Sequence, residues 1–196
     1  MSAKMSNTRK TVVTAMLGAL ASALMFISFS VPLMPSFIKL DFSELPALIA
    51  SFSVGPFSGM AVCLIKNLVN LPFSTTSGVG ELSNFILGCA FVFPSGLIYQ
   101  KLKSRKGALI GSLVGAAGMA AISLVTNYFV VYPAYSIFMP MSAILDMYRV
   151  INPNIKTLFQ ALLIFNVPFT FIKGLLNVII TFVIYKKLSP IIKGKE

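Results

Sequence analysis

The chain has no histidine, no tryptophan, two cysteines and five acidic residues in 196 positions. Each shortage removes a class of function. Without histidine it lacks the commonest zinc and copper ligand and the usual proton relay near neutral pH, so no metal site is expected. Cys63 and Cys89 fall inside apolar runs without CxxC or Cys/His spacing, which reads as packing rather than a disulfide framework. No G-x-x-x-x-G-K-S/T pattern occurs, so any ATP-driven role needs partners. No Ser/His, Cys/His or paired-aspartate set supplies a nucleophile with its base, so no catalytic residues are expected and an intramembrane enzyme ranks low. Neither an internal repeat nor a linker rich in Gly, Ser or charge divides the chain. Residues 1–196 read as one membrane domain.

What is present is apolar: 57% of residues are hydrophobic and 11% charged, more apolar surface than a soluble domain of this length can hide. The apolar residues come in continuous runs rather than the alternating pattern of barrel strands, so the fold class is an all-α integral membrane protein. The first run, 11–31, holds 21 residues without a charge behind Lys4, Arg9 and Lys10. That is longer than the apolar stretch of a cleaved signal peptide, so it is expected to be a retained span. Further spans are expected at 45–54, 57–71, 79–99, 107–131 and 158–185, giving a bundle of six transmembrane helices. The second and third are short and parted by Gly55-Pro56, which ends one helix and starts the next. Short or broken helices often line binding sites.

Basic residues orient the bundle. With the N-terminus inside, eleven lysines and arginines fall on the cytoplasmic side and three, Lys39, Arg149 and Lys156, outside. N- and C-termini are therefore expected to be cytoplasmic, and the net charge of +11 needs no nucleic-acid partner. Two outer segments, 32–44 and 132–156, carry prolines, aromatics and turn signals. They read as irregular loops, either lids over an external site or ordinary interfacial connections.

Against this background stand polar side chains in or beside apolar runs: Lys66, Asn67, Glu81, Asn84, Asn127, Asn166, Lys173 and Asn177. Such groups cost several kcal/mol to bury unpaired and suggest a pocket for a polar ligand. Glu81, Asn84 and Gly88 at i, i+3, i+7 share one helical face, with Gly88 allowing close approach; Glu81 also fits an interfacial carboxylate at a helix N-terminus. Asn166, Lys173 and Asn177 form a second stripe, interrupted by Pro168. Lys173 lies mid-span and is expected to meet Glu81, a ligand acceptor or a carbonyl. Lys66, in a short helix, has the stronger claim to snorkel to the outer interface, and Asn70 fits a helix-end cap. In the first span Ala15, Ala19 and Ala23 recur every four residues, a small-residue stripe that either packs inside the bundle or docks another membrane subunit. Gly111 and Gly115 raise the same choice.

The run Lys39-Leu-Asp-Phe-Ser-Glu-Leu-Pro-Ala-Leu-Ile-Ala, with Gly55-Pro56, Ile65-Lys66-Asn67, Gly80-Glu81-Leu82-Ser83-Asn84-Phe85 and Phe165-Asn166-Val167-Pro168-Phe169, then Lys173-Gly174, resembles the substrate-binding membrane subunits of energy-coupling factor vitamin transporters, the riboflavin-specific branch most of all. The resemblance covers nearly the whole chain. It implies a subunit of the bacterial cell membrane that captures riboflavin from outside with high affinity and has no cofactor beyond that transported ligand. It implies too that the subunit joins one transmembrane coupling protein and two cytoplasmic ATPases, docking through the alanine motif, and topples to release the vitamin inside. On this reading the Asn and Lys groups with Glu81 hydrogen-bond the ligand's polar groups, while first-loop residues Phe37, Leu40 and Asp41 and the outer aromatics cover it.

Two rivals remain from the sequence. One keeps the family and changes the vitamin, to thiamin, pantothenate or biotin; the absence of Trp and the intramembrane lysines argue against cationic thiamin. The other is a proton-coupled secondary transporter using Glu81 and Lys173 as a pair.

Overall fold

The computed structural model describes residues 6–32, 34–35, 38–137 and 139–193, the stretch 185–193 by backbone alone. Helix α1, Asn7–Phe26, starts where the Ser6 hydroxyl accepts the Arg9 amide at 3.3 Å. A two-residue antiparallel ladder follows, β1 (Phe29–Ser30) against β2 (Lys39–Leu40), with Phe29 opposite Leu40. Helices α2 (Glu44–Ser53) and α3 (Pro56–Asn70) are joined through Gly55, whose φ of 145° suits a residue without Cβ, and Pro56 opens α3 where a missing N–H costs nothing. Helix α4 spans Val79–Leu102 and α5 Arg105–Thr126.

Among the described residues, four stretches are long and apolar enough to cross a membrane: Asn7–Phe26, Val79–Leu102, Arg105–Tyr135 and Leu158–Ile184. Helices α2 and α3 are not. At 1.5 Å per residue they reach about 15 and about 22 Å, short of the roughly 30 Å hydrocarbon core. The six expected spans therefore resolve into four full-length helices and one short pair.

The outer segment 132–156 departs from expectation, because it is largely helical. Helix α5 runs into a π turn, Asn127–Val131, and on into α6, Tyr132–Tyr135. Helix α7, Met141–Ile151, then lies on the bundle end with Ile144 and Tyr148, one turn apart, buried beneath it. Pro133 and Asn152-Pro153-Asn154 read as loop punctuation, yet Pro133 sits inside a continuous helical stretch. The π turn explains why: it widens the helix beside the carbonyl that a proline ring would otherwise strike. The same device recurs in the last helix. Helix α8 (Leu158–Ala161), a π turn (Leu162–Asn166) and α9 (Val167–Lys193) run on as one, and Pro168 again stands two residues beyond the π turn.

Among the described residues, two apolar clusters hold the bundle. The larger joins Leu48, Ile49, Val62, Phe91, Val92 and Met119; the smaller gathers Val131, Ile144, Ile155 and Leu162 under α7. Gly111 and Gly115 belong to internal packing: a Cβ on Gly115 would stand 2.3 Å from the Phe91 carbonyl oxygen, so α4 and α5 meet backbone to backbone. The alanine stripe lies outside that packing. Leu17, Gly18, Ala21 and Ser22 face the bundle, while Ala15, Ala19 and Ala23 are exposed on the opposite side of α1.

Candidate functional site

A cavity of about 300 Å³ opens at the end of the bundle where α1, α3 and α5 finish and α4 and α9 begin. Its apolar wall includes Met25, Phe26, Leu87, Met119 and Phe169, and its polar wall Asp41, Glu81, Asn84, Asn127, Asn166 and Lys173. The π turns matter here. Asn127 is the first residue of one and Asn166 the last of the other, and both asparagines line the cavity at 7% and 6% exposure. Widening each helix at a proline thus coincides with an amide on the cavity wall, a frequent use of π turns.

The two intramembrane lysines are paired, and not as expected. Lys173 Nζ donates to Asp41 Oδ2 at 2.8 Å. Lys66 Nζ donates to Glu44 Oε2 at 2.6 Å and to Ser43 Oγ at 2.5 Å. Ser43 joins the two pairs: its backbone N–H donates to Asp41 Oδ1 at 2.9 Å, and its hydroxyl contacts that same oxygen and, at 2.9 Å, Glu44 Oε2. The hydroxyl has one proton, so it donates to one carboxylate at a time while accepting from Lys66. All four charged groups are buried and the set is neutral. Burial raises the Asp41 carboxyl, but the Lys173 and Lys66 ammonium charges, with hydrogen bonds from Lys173 and Ser43, outweigh it and hold that group well below the usual carboxylate range.

This quartet corrects two expectations. Lys66 does not snorkel; it is fully buried and lies behind the cavity wall rather than on it. Lys173 does not meet Glu81. That carboxylate instead accepts from Ser74 Oγ at 2.6 Å, on the turn that also orients Thr76 at the cavity rim. Glu81 and Lys173 are thus not the ion pair that a proton-coupled transporter was expected to use.

The remaining polar residues divide similarly. Asn84 lines the cavity, and Asn70 does too while its Nδ2 donates to the Lys66 carbonyl at 2.9 Å. Asn67 and Asn177 do not line it; each is buried and donates one turn back, to the Cys63 and Lys173 carbonyls at 2.7 and 2.9 Å. Gly88 faces Cys63 on α3 rather than a ligand. Leu40 stands in the β ladder, half-buried and off the cavity wall, and Phe37 lies outside the described residues.

Among the contributors that sequence reasoning missed are Glu44, Tyr132 and Tyr148. Glu44 was signalled by scarcity: with two lysines in spans and five acids in the whole chain, the carboxylates nearest the first loop were the natural partners. Tyr132 and Tyr148 gave no comparable signal, since tyrosines in an outer segment read as interfacial anchors. In the structure they are fully buried and bonded to Asn166.

Residues 9–185 match the family model described as "ECF transporter, substrate-specific component". The chain is 32% identical to the riboflavin transporter RibU of Staphylococcus aureus (strain TCH60), over 96% of this chain and 95% of that protein. It is 34% identical to the riboflavin transporter FmnP of Bacillus subtilis (strain 168), over 96% of each. The solved S component of a bacterial ECF transporter superposes with a TM-score of 0.76 at 31% identity, covering 96% of this chain and 99% of the other.

Proposed function

The chain belongs to the family of ECF transporter substrate-specific components, and on that premise we propose that it is the riboflavin-capturing subunit of such a transporter in a bacterial plasma membrane. The observation that carries the choice of vitamin is the name shared by two relatives that match almost the whole chain. The cavity supports it chemically. Amides of Asn84, Asn127 and Asn166 supply donors and acceptors to ligand hydroxyls and ring heteroatoms, while Phe26, Phe169 and Leu87 offer apolar cover for a flat ring.

In this reading the cavity faces outward. It lies at the end of the bundle away from Lys101, Lys103, Arg105 and Lys106, which the positive-inside rule assigns to the cytoplasm. The short α2 and α3 complete crossings with their flanking residues, giving six spans with both termini inside. Lacking a phosphate loop, the subunit relies on a transmembrane coupling protein and two cytoplasmic ATPases, and it docks through Ala15, Ala19 and Ala23, which face away from the bundle.

The test is direct. Purified protein is expected to carry a yellow chromophore with flavin absorption bands and to quench the fluorescence of added riboflavin. A colourless preparation that leaves riboflavin fluorescence unchanged sinks the assignment.

A further inference from the structure

We propose that Tyr148, which does not touch the cavity, is a positioning residue for ligand binding: with Tyr132 it closes a hydrogen-bonded ring on Asn166 that fixes the plane and direction of that amide at the cavity wall. The proposal rests on the riboflavin reading for its choice of probe.

The ring is read from three buried side chains. The Tyr148 hydroxyl donates to Asn166 Oδ1 at 2.7 Å, and Asn166 Nδ2 donates to the Tyr132 hydroxyl oxygen at 3.1 Å. The two tyrosine hydroxyls touch each other. Tyr148 has already given its only proton to the amide, so this last bond runs from Tyr132 to Tyr148. Each member donates once and accepts once, in one sense around the ring. The amide can turn over only if all three bonds reverse together, which makes its orientation a cooperative property of the ring. An asparagine has two N–H donors and two acceptor lone pairs, so one of each remains for the cavity that Asn166 lines.

Asn166 needs such a restraint. It ends a π turn two residues before Pro168, where helical hydrogen bonding is interrupted. Tyr148 arrives from α7, an element otherwise held to the bundle end by apolar contacts such as Ile144, and its ring lies against Phe165 with centroids 5.6 Å apart. The outer helix thereby sets the geometry of a cavity amide it does not share a strand of chain with.

Riboflavin titrations on the full chain, wild type, Tyr148→Phe, Asn166→Ala and the double variant, test the idea. Loss of one neutral hydrogen bond corresponds to a roughly three- to tenfold weaker affinity, which is the expectation for Tyr148→Phe. If Tyr148 acts through Asn166, the double variant binds no more than about twofold more weakly than Asn166→Ala alone. Unchanged affinity in Tyr148→Phe, or losses that multiply in the double variant, overturn the proposal. Phenylalanine keeps the buried ring; should that variant not fold, Tyr132→Phe takes its place in the amide-exchange measurement that follows rather than in the titrations, because Tyr132 itself lines the cavity, and unchanged exchange there overturns the ring. Hydrogen exchange of the Asn166 side-chain amide, followed by NMR in asparagine-labelled protein without ligand, tests the ring separately. Faster exchange in Tyr148→Phe supports it and unchanged exchange overturns it, so a protein that binds no riboflavin yet shows the protected amide refutes the vitamin and keeps the ring.

Discussion

Replacing Lys66 with methionine removes a charge that the fold, rather than the ligand, requires. Its ammonium stands 2.6 Å from Glu44 with both side chains about 1% exposed. At an effective dielectric of about 20, two unit charges at that distance attract by about 6 kcal/mol, an attraction set against the desolvation of both. Methionine fills a similar volume, so packing is largely kept. What is left is a buried carboxylate without its cation, a hydroxyl on Ser43 without its donor, and Glu44 Oε1, which already has no hydrogen-bond partner among the described residues. Breaking a buried pair from one side costs roughly 3–5 kcal/mol. Removing both charges in Lys66→Met/Glu44→Gln takes away the stranded ion, and most of that loss should return.

The assay is reversible unfolding of the purified protein in mixed detergent micelles, followed by circular dichroism, for wild type, each single variant and the double. The expected order is wild type close to the double variant, with Lys66→Met well below both. Riboflavin affinity, measured where each variant is folded, should change little for Lys66→Met, because Lys66 does not line the cavity. A Lys66→Met protein as stable as wild type refutes the ion-pair reasoning. A stable variant with lost riboflavin binding would instead return Lys66 to the ligand.

The other predictions follow from the same geometry. Asn84→Leu, on the cavity wall, should weaken riboflavin binding at least about tenfold, or about 1.4 kcal/mol, with unfolding unaffected; unchanged titrations remove Asn84 from the site. Asp41 has a depressed carboxyl pKa, so its stabilising contribution is present above its ordinary value of 3.8 and is lost only as pH falls through its lower value in the fold. Binding should therefore be flat between about pH 8 and 6 where Asp41 is concerned, and Asp41→Asn should leave the shape of that plateau unchanged while lowering stability; a wild-type decline across that window which Asp41→Asn abolishes contradicts this. Gly115→Val places side-chain atoms against the Phe91 carbonyl and should lower stability by about 1–3 kcal/mol or more in the same unfolding assay. Ala15→Leu or Ala19→Leu, on the exposed face of α1, should leave binding intact and reduce uptake by cells holding the whole transporter; equal loss of both points to internal packing.

Length and apolarity made the four long helices legible, and the Gly55-Pro56 pair marked the break between the two short ones, because these signals are local. The segment 132–156 was misread because its prolines act differently in context: a π turn absorbs Pro133, and nothing in the sequence announces a π turn. Cavity residues were legible in so far as they are polar where lipid or core is expected, which holds for Asn84, Asn127 and Asn166. The same signal drew in Lys66, Asn67 and Asn177, which are equally anomalous in sequence yet partnered inside the fold. Polarity in an apolar run therefore identifies a group that needs a partner, without saying whether the partner is protein or ligand. Charge counting goes one step further. Each buried lysine needs an anion, and in a chain with five acids the candidates are few. Asp41 and Glu44 flank Ser43 at the start of α2, so one short segment neutralises α3 and α9 together and ties the first loop to the cavity's edge. Amides differ in this respect. An asparagine whose Nδ2 donates one turn back within its own helix leaves no trace in sequence, so separating Asn177 from Asn166 took the fold, which puts two tyrosines and a cavity beside only the latter.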